Sequence, residues 1–137
     1  MNEFVQVFPE NWQKKYEDKG FISPSLIQRA VFQPLSNKQS IVAVSPTGSG
    51  KTLAYLWPLL LNVEPGEASA LVIFASSQEL AIQVADVARE WGKDKELKVQ
   101  SLVGGANVKR QIEGLKKKPE ILIGTPGRIL ELMKAKK

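Results

Sequence analysis

The run Ser45-Pro46-Thr47-Gly48-Ser49-Gly50-Lys51-Thr52 constrains this chain more than any other part of it. An apolar stretch at residues 41–44 precedes the run, and an apolar-faced helical pattern opening at Lys51 follows it. A strand, a glycine-bearing turn and a helix in that order form the setting a phosphate-binding loop requires. Gly48 and Gly50 let backbone amides point into one cavity, and the helix N-terminus adds donors and a favourable dipole. Lys51 can reach the outer phosphates, and the Thr52 hydroxyl can coordinate Mg²⁺. The general pattern has glycine at its first position, where this chain has Ser45. A chance turn before a helix is the plain alternative. The motif points to nucleotide binding and names no reaction.

The rest of the chain supplies a compatible frame. Trp12 and Tyr16 lie four apart in a helical pattern over residues 10–19. A second helix is expected from Pro24 to about Leu35, with Pro24 in its first turn. Residues 41–44, 70–75 and 121–123 read as buried strands, and Val99, Ser101 and Val103 sit at strand spacing. Pro58 should bend or end the helix that opens at Lys51. Ser76 with Glu79 fits a capping box for a helix carrying Leu80, Val84, Ala88 and Trp91. Residues 107–118 read as helix, and Thr125 with Pro126 can open a last one. Strands that alternate with helices and are apolar on both sides predict an α/β fold with a parallel sheet flanked by helices.

Composition narrows the chemistry. The 137 residues include no Cys and no His, so disulfides, triads that need imidazole, and Cys/His zinc sites are excluded or very remote. With 43% apolar residues the chain can bury a core as one domain. No apolar stretch approaches the roughly 20 residues that span a bilayer, and no signal peptide opens the chain. These features predict a soluble cytoplasmic protein. The net charge is +5, yet residues 109–137 alone hold nine basic and three acidic groups. Such a stripe either receives phosphates or is a solvated helix face.

Five elements in order resemble the first RecA-like domain of a DEAD-box ATP-dependent RNA helicase, over essentially the whole chain. Gly20-Phe21 with Pro24-Ser25-Leu26-Ile27-Gln28 resembles the adenine-recognition motif, and residues 45–52 resemble motif I, which usually begins with Ala. Residues 76–81 align with motif Ia, Gly104-Gly105 with the Gly-Gly element, and Thr125-Pro126-Gly127-Arg128 with motif Ib. The resemblance implies ATP and Mg²⁺ as cofactors and RNA as partner. It gives Gln28 the adenine edge, for which an amide that both donates and accepts is suited. Phe21 would pack beside the base, with Phe4, or alternatively Phe8, stacked on it. Without the resemblance Gln28 reads as an ordinary polar helix residue. Gly104, Gly105, Thr125, Pro126, Gly127 and Arg128 would hold the RNA backbone, so little base specificity is expected.

Two departures qualify the resemblance. Motif Ia has Ser76, Ser77 and Gln78 where Pro, Thr and Arg are usual, and Gln78 lacks the forked guanidinium. The Asp-Glu-Ala-Asp motif and the second RecA-like domain are absent from the sequence. The expectation is therefore a partial RecA-like domain over residues 1–137, a piece of a longer chain or a truncated gene product. It should bind nucleotide and RNA without turnover. An uncovered sheet edge would then be open to a dimer partner or to the parent chain. A different phosphate-loop protein, such as a nucleotide kinase or GTPase, and a degenerate interaction module are the competing readings.

Overall fold

The computed structural model describes residues 3–105 and 107–136. They form two compact units, Met1–Asn62 and Val63–Lys137.

The first unit is helical: α1 (Glu3–Gln6), α2 (Glu10–Asp18), α3 (Leu26–Ser36) and α4 (Lys51–Leu61). Trp12 and Tyr16 form the buried face of α2, as their spacing predicts. Phe8 meets Trp12 edge-on at 5.4 Å between ring centroids and lies 5.2 Å from Trp57 of α4. Edge and tilted contacts of this kind suit the ring quadrupole and fix each ring in place. Helix α3 begins two residues later than the sequence suggests. Ser25 is its N-cap, and Pro24 lies outside the helix. Pro58 does not end α4, which runs on to Leu61 with the proline ring buried. Pro58 lacks the N–H that would bond the Ala54 carbonyl, and the helix ends within a turn of it.

The expected strand over residues 41–44 does not form. Val42 and Val44 are 94% and 91% exposed. A strand needs ladder partners for its N–H and C=O groups, and the first unit offers no other strand among the described residues. Apolar sequence alone does not make a strand.

The second unit contains β1 (Leu71–Phe74), α5 (Gln78–Gly92), a 3₁₀ turn (Lys93–Lys95), β2 (Val99–Leu102), α6 (Val108–Leu115), β3 (Ile121–Gly124) and α7 (Pro126–Lys136). The three strands are parallel in the order β1-β3-β2, so the last strand is central. Ile121 and Ile123 are fully buried, while Leu122 points the other way into a cluster of Leu102, Ile129 and Leu132. This period-two alternation gives β3 two apolar faces, the second covered by α6 and α7. Strand β1 was expected to be buried on both faces. It is instead an edge strand, with Phe74 60% exposed. The parallel sheet with helices on its faces otherwise agrees with the expected fold class.

One buried carboxylate ties the start of the sheet together. Glu120, 2% exposed, accepts from the Gly66 backbone N–H at 2.8 Å and from the Lys98 N–H at 2.7 Å. It thereby links the loop before β1 and the entry to β2 with the entry to β3. No helix among the described residues is long and apolar enough to cross a membrane.

Candidate nucleotide and nucleic-acid sites

In the first unit, the capping of α3 builds the candidate nucleotide site. The Ser25 side chain accepts from the Gln28 N–H at 3.4 Å, and Gln28 Oε1 accepts from the Ser25 N–H at 2.9 Å. This capping box fixes the rotamer of Gln28. Its Nε2 then donates to the Gly50 carbonyl at 3.3 Å, which also accepts from the Ala54 N–H at 3.0 Å. Gln28 thus clasps the phosphate loop to the start of α3. Each amide atom keeps one further hydrogen-bonding position.

Gly50 is the left-handed N-cap of α4, at φ +84°. A Cβ there would stand 2.5 Å from Gln28 Nε2, so glycine is required both by the backbone and by the clasp. The residue that departs from the general motif also braces the loop: Ser45 Oγ donates to Ser49 Oγ at 2.6 Å. In the sequence Ser45 stands out only as a departure from the glycine of the general motif.

A cavity of about 310 Å³ opens between these parts. Phe21, Ser25, Gln28, Gly48, Ser49 and Gly50 are among the residues that line it. That volume lies at the small end of the range for ligand sites, roughly 300–1,000 Å³. The predicted base-side and phosphate-side residues therefore face one space. Phe21 is 37% exposed and rests edge-on against Tyr16.

Other predicted residues lie elsewhere. Lys51 lines a second cavity, of about 360 Å³, with apolar residues of α3 and α4. The Thr52 side chain hydrogen-bonds Tyr55, and burial raises the Tyr55 hydroxyl above its ordinary pKa in spite of that bond. Thr47 is exposed on the loop and does not line the nucleotide cavity. The side chain of Phe4 lies outside the described residues. Phe8, its alternative, is 3% exposed within the aromatic core and cannot stack on a base. Among the described residues, no three acidic side chains cluster where they could hold a metal.

In the second unit, parallel register brings the predicted RNA elements together. Phe74, Gly124 and Leu102 align at the ends of the three strands, so residues 76–78, 104–105 and 125–128 all follow one edge of the sheet. That edge is the usual ligand side of a parallel sheet. The cap of α5 is Ser77, not Ser76: its hydroxyl accepts from the Leu80 N–H at 3.1 Å. Glu79 falls in the first turn, where its charge favours the helix dipole. The Gln78 amide lies over the glycine turn, with Nε2 3.0 Å from where a Gly104 Cβ would stand. Around Gly127 no atom approaches such a position within 4 Å, which leaves the start of α7 open.

Arg128 is held from within. Its Nε pairs with Glu131 at 2.9 Å, and its Nη1 donates to Gln111 Oε1 at 3.0 Å, leaving the side chain 10% exposed. Gln111 is itself buried and donates to the Val103 carbonyl at 3.0 Å. It joins the residue before the Gly-Gly turn to motif Ib, a link between positions 17 apart that no local pattern announces.

A family model for DEAD/DEAH box helicases matches residues 25–137. The chain belongs to the DEAD/DEAH box helicase family. It is 46% identical over 135 residues to a probable ATP-dependent RNA helicase, YfmL, of Bacillus subtilis, covering 98% of this chain and 34% of that one. It is 41% identical over 126 residues to the DEAD-box ATP-dependent RNA helicase CshC of Bacillus cereus, covering 91% of this chain and 32% of the relative. A crystal structure of a DEAD box protein from Methanococcus jannaschii superposes with a TM-score of 0.87 at 36% identity, over 95% of this chain and 36% of that one. A hypothetical ATP-dependent RNA helicase from Sulfolobus tokodaii gives 0.81 at 28% identity, over 99% of this chain and 37% of that one. The chain spans about a third of the length of these relatives. The parallel sheet with flanking helices is consistent with the RecA-like phosphate-loop fold of this family.

Proposed function

We propose that residues 1–137 are the ATP- and RNA-binding part of the first RecA-like domain of an ATP-dependent RNA helicase. The observation that carries this reading is the clasp from Gln28 to Gly50, which sets an amide with free donor and acceptor positions and a glycine-rich loop around one cavity. Adenine would lie against Phe21, with Phe4 stacked on it, and pair with the unused positions of Gln28. The amides of Thr47, Gly48, Ser49 and Gly50 would cradle the phosphates at the start of α4. Lys51 would neutralise the outer phosphates, and Thr52 would turn its hydroxyl from Tyr55 to Mg²⁺. Bound Mg·ATP would supply the phosphoryl chemistry, whose completion would need the carboxylates of an Asp-Glu-Ala-Asp motif further along the first domain of a longer parent and arginines from its second RecA-like domain.

RNA would be held through its backbone by Gly104, Gly105, Thr125, Pro126 and Gly127 at the ligand edge of the sheet. Arg128 contributes by fixing that edge through Gln111 and Glu131 as well as by its charge. The uncovered edge of β1 would take a further strand, from the parent chain or from a second copy. This role fits a cytoplasmic protein. Calorimetric titration with Mg·ATP and Mg·GTP tests the reading: ATP should bind, GTP should bind at least tenfold more weakly, and Gln28→Ala should abolish the preference. Equal affinity for both nucleotides in folded wild type would overturn it.

A further inference from the structure

Gln111 is buried, at 7% exposure, on a helix where Lys109, Arg110 and Glu113 are exposed. Each of its polar atoms has a partner. Its N–H donates to the Asn107 carbonyl at 3.1 Å, and its own carbonyl accepts from Gln100 Nε2 at 2.8 Å. The main chain at this point is thus tied to the start of α6 and to β2. The side-chain amide reaches two other places. Nε2 donates to the Val103 carbonyl, and Oε1 accepts from Arg128 Nη1, both at 3.0 Å. These partners fix the orientation of the amide, because a carbonyl needs a donor and a guanidinium needs an acceptor. Glutamate would set an oxygen against the Val103 carbonyl, lysine would set a cation against Arg128, and methionine would leave both unpaired.

The two partners flank the candidate RNA elements. Val103 immediately precedes Gly104–Gly105, and Arg128 lies in the first turn of α7. The ladder between β2 and β3 ends at Leu102 and Gly124, followed by one bond from the Thr125 N–H to the Leu102 carbonyl at 3.2 Å. Beyond that bond the Gln111 amide carries the connection across. We propose that Gln111 is a positioning residue for RNA: its amide holds the Gly104–Gly105 turn and the start of α7 in one fixed relation, so that the phosphates of a strand meet both already aligned. Main-chain donors at Gly104, Gly105 and Gly127 bring no charged side chain, so their alignment decides how well they hold a phosphate. Without the amide the two elements would have to be ordered during binding, which lowers affinity. The inference rests on the RNA-backbone reading of these elements.

Gln111→Met keeps the length of the side chain and removes both bonds. Binding of a uridine homopolymer RNA is followed by amide chemical shifts, which read weak as well as tight binding. The variant should bind about tenfold more weakly, a loss of roughly 1.4 kcal/mol. Glu120→Gln, which weakens the same unit at the other end of the strands, should leave the RNA affinity of the folded protein unchanged. Wild-type affinity in Gln111→Met would overturn the inference, and so would an equal loss in both variants, which would show that stability alone is at work. Hydrogen exchange of the Gln111 side-chain N–H₂ in wild type gives a second readout, which holds even where the methionine variant fails to fold. It should be slow in the free protein and equally slow with RNA bound. Fast exchange that becomes slow only on adding RNA would overturn the inference, because the alignment would then follow binding. Failure of wild type to bind RNA, or shifts that avoid Gly104, Gly105 and Gly127, would defeat the RNA reading itself and the inference with it, a result distinct from the others.

Discussion

Replacing Glu120 should weaken the second unit more than any exposed substitution in it. The carboxylate accepts two short backbone bonds, 2.8 Å from Gly66 and 2.7 Å from Lys98, at 2% exposure. Hydrogen bonds to a charged group contribute about 1.5–3 kcal/mol each, so losing both in Glu120→Ala costs about 3–6 kcal/mol. Glu120→Gln keeps one acceptor oxygen but turns an amide N–H₂ toward the other donor, and should cost about 2–4 kcal/mol. Either is a large share of a domain's total stability of roughly 5–15 kcal/mol. Urea unfolding followed by circular dichroism measures the difference. Its pH dependence identifies the charge as the cause. Burial pushes the Glu120 pKa up, but the N–H groups of Gly66, Lys98 and Glu120 itself, with the Lys98 ammonium, carry it below its ordinary value. A carboxyl with a lowered folded pKa adds stability that is present above the unfolded pKa, near 4.3 for Glu (an approximate reference value), and is lost as pH falls through the folded one. The gap between wild type and Glu120→Gln should be full at neutral pH and narrow in acid below that range. A gap under about 0.5 kcal/mol, within the spread of ordinary surface changes, or one that widens on acidification, would refute the reasoning.

Three other substitutions probe the two sites. Gly50→Ala must adopt φ +84° and displace the Gln28 amide, so it should lower melting stability by about 1–3 kcal/mol and weaken ATP binding at least tenfold in the same calorimeter. Gln78→Arg puts a charge over the Gly104–Gly105 turn; single-stranded RNA binding should tighten, and its logarithmic salt slope should steepen by about 0.7, one added phosphate contact. Ser77→Ala removes the α5 cap and should cost about 1 kcal/mol in urea unfolding, whereas Ser76→Ala should cost almost nothing.

The readable parts of the sequence were those set by local chemistry. The phosphate loop is contiguous, its glycines and Lys51-Thr52 follow a fixed spacing, and the structure places α4 where that spacing starts it. Pro126 opens α7 because a missing N–H is harmless at a first helical position. The misread parts depend on partners distant in sequence. Residues 41–44 carry the apolar content of a strand without a neighbour to pair with. Phe8 looked available for stacking until Trp12 and Trp57 closed around it. Ser76 and Ser77 are chemically alike, and only the backbone decides which oxygen meets an N–H three residues ahead. Gln111 and Glu120 lie within or beside runs of charged residues with no local pattern to mark them, and both are buried organisers of the sheet. A polar residue flanked by a buried strand is the one signal that could have drawn attention to Glu120.

The central claim is that one adenosine nucleotide spans Phe21, Gln28 and the phosphate loop. Amide spectra of the folded protein during Mg·ATP titration test it most directly. The account predicts saturable shifts in the backbone signals of Gly48, Ser49 and Gly50 and in the Gln28 side-chain N–H₂, with tripolyphosphate moving the loop signals and leaving the Phe21 N–H unmoved. Lys51→Ala should abolish both sets. Shifts confined to other residues, or equal ATP shifts in Lys51→Ala and wild type, would contradict it.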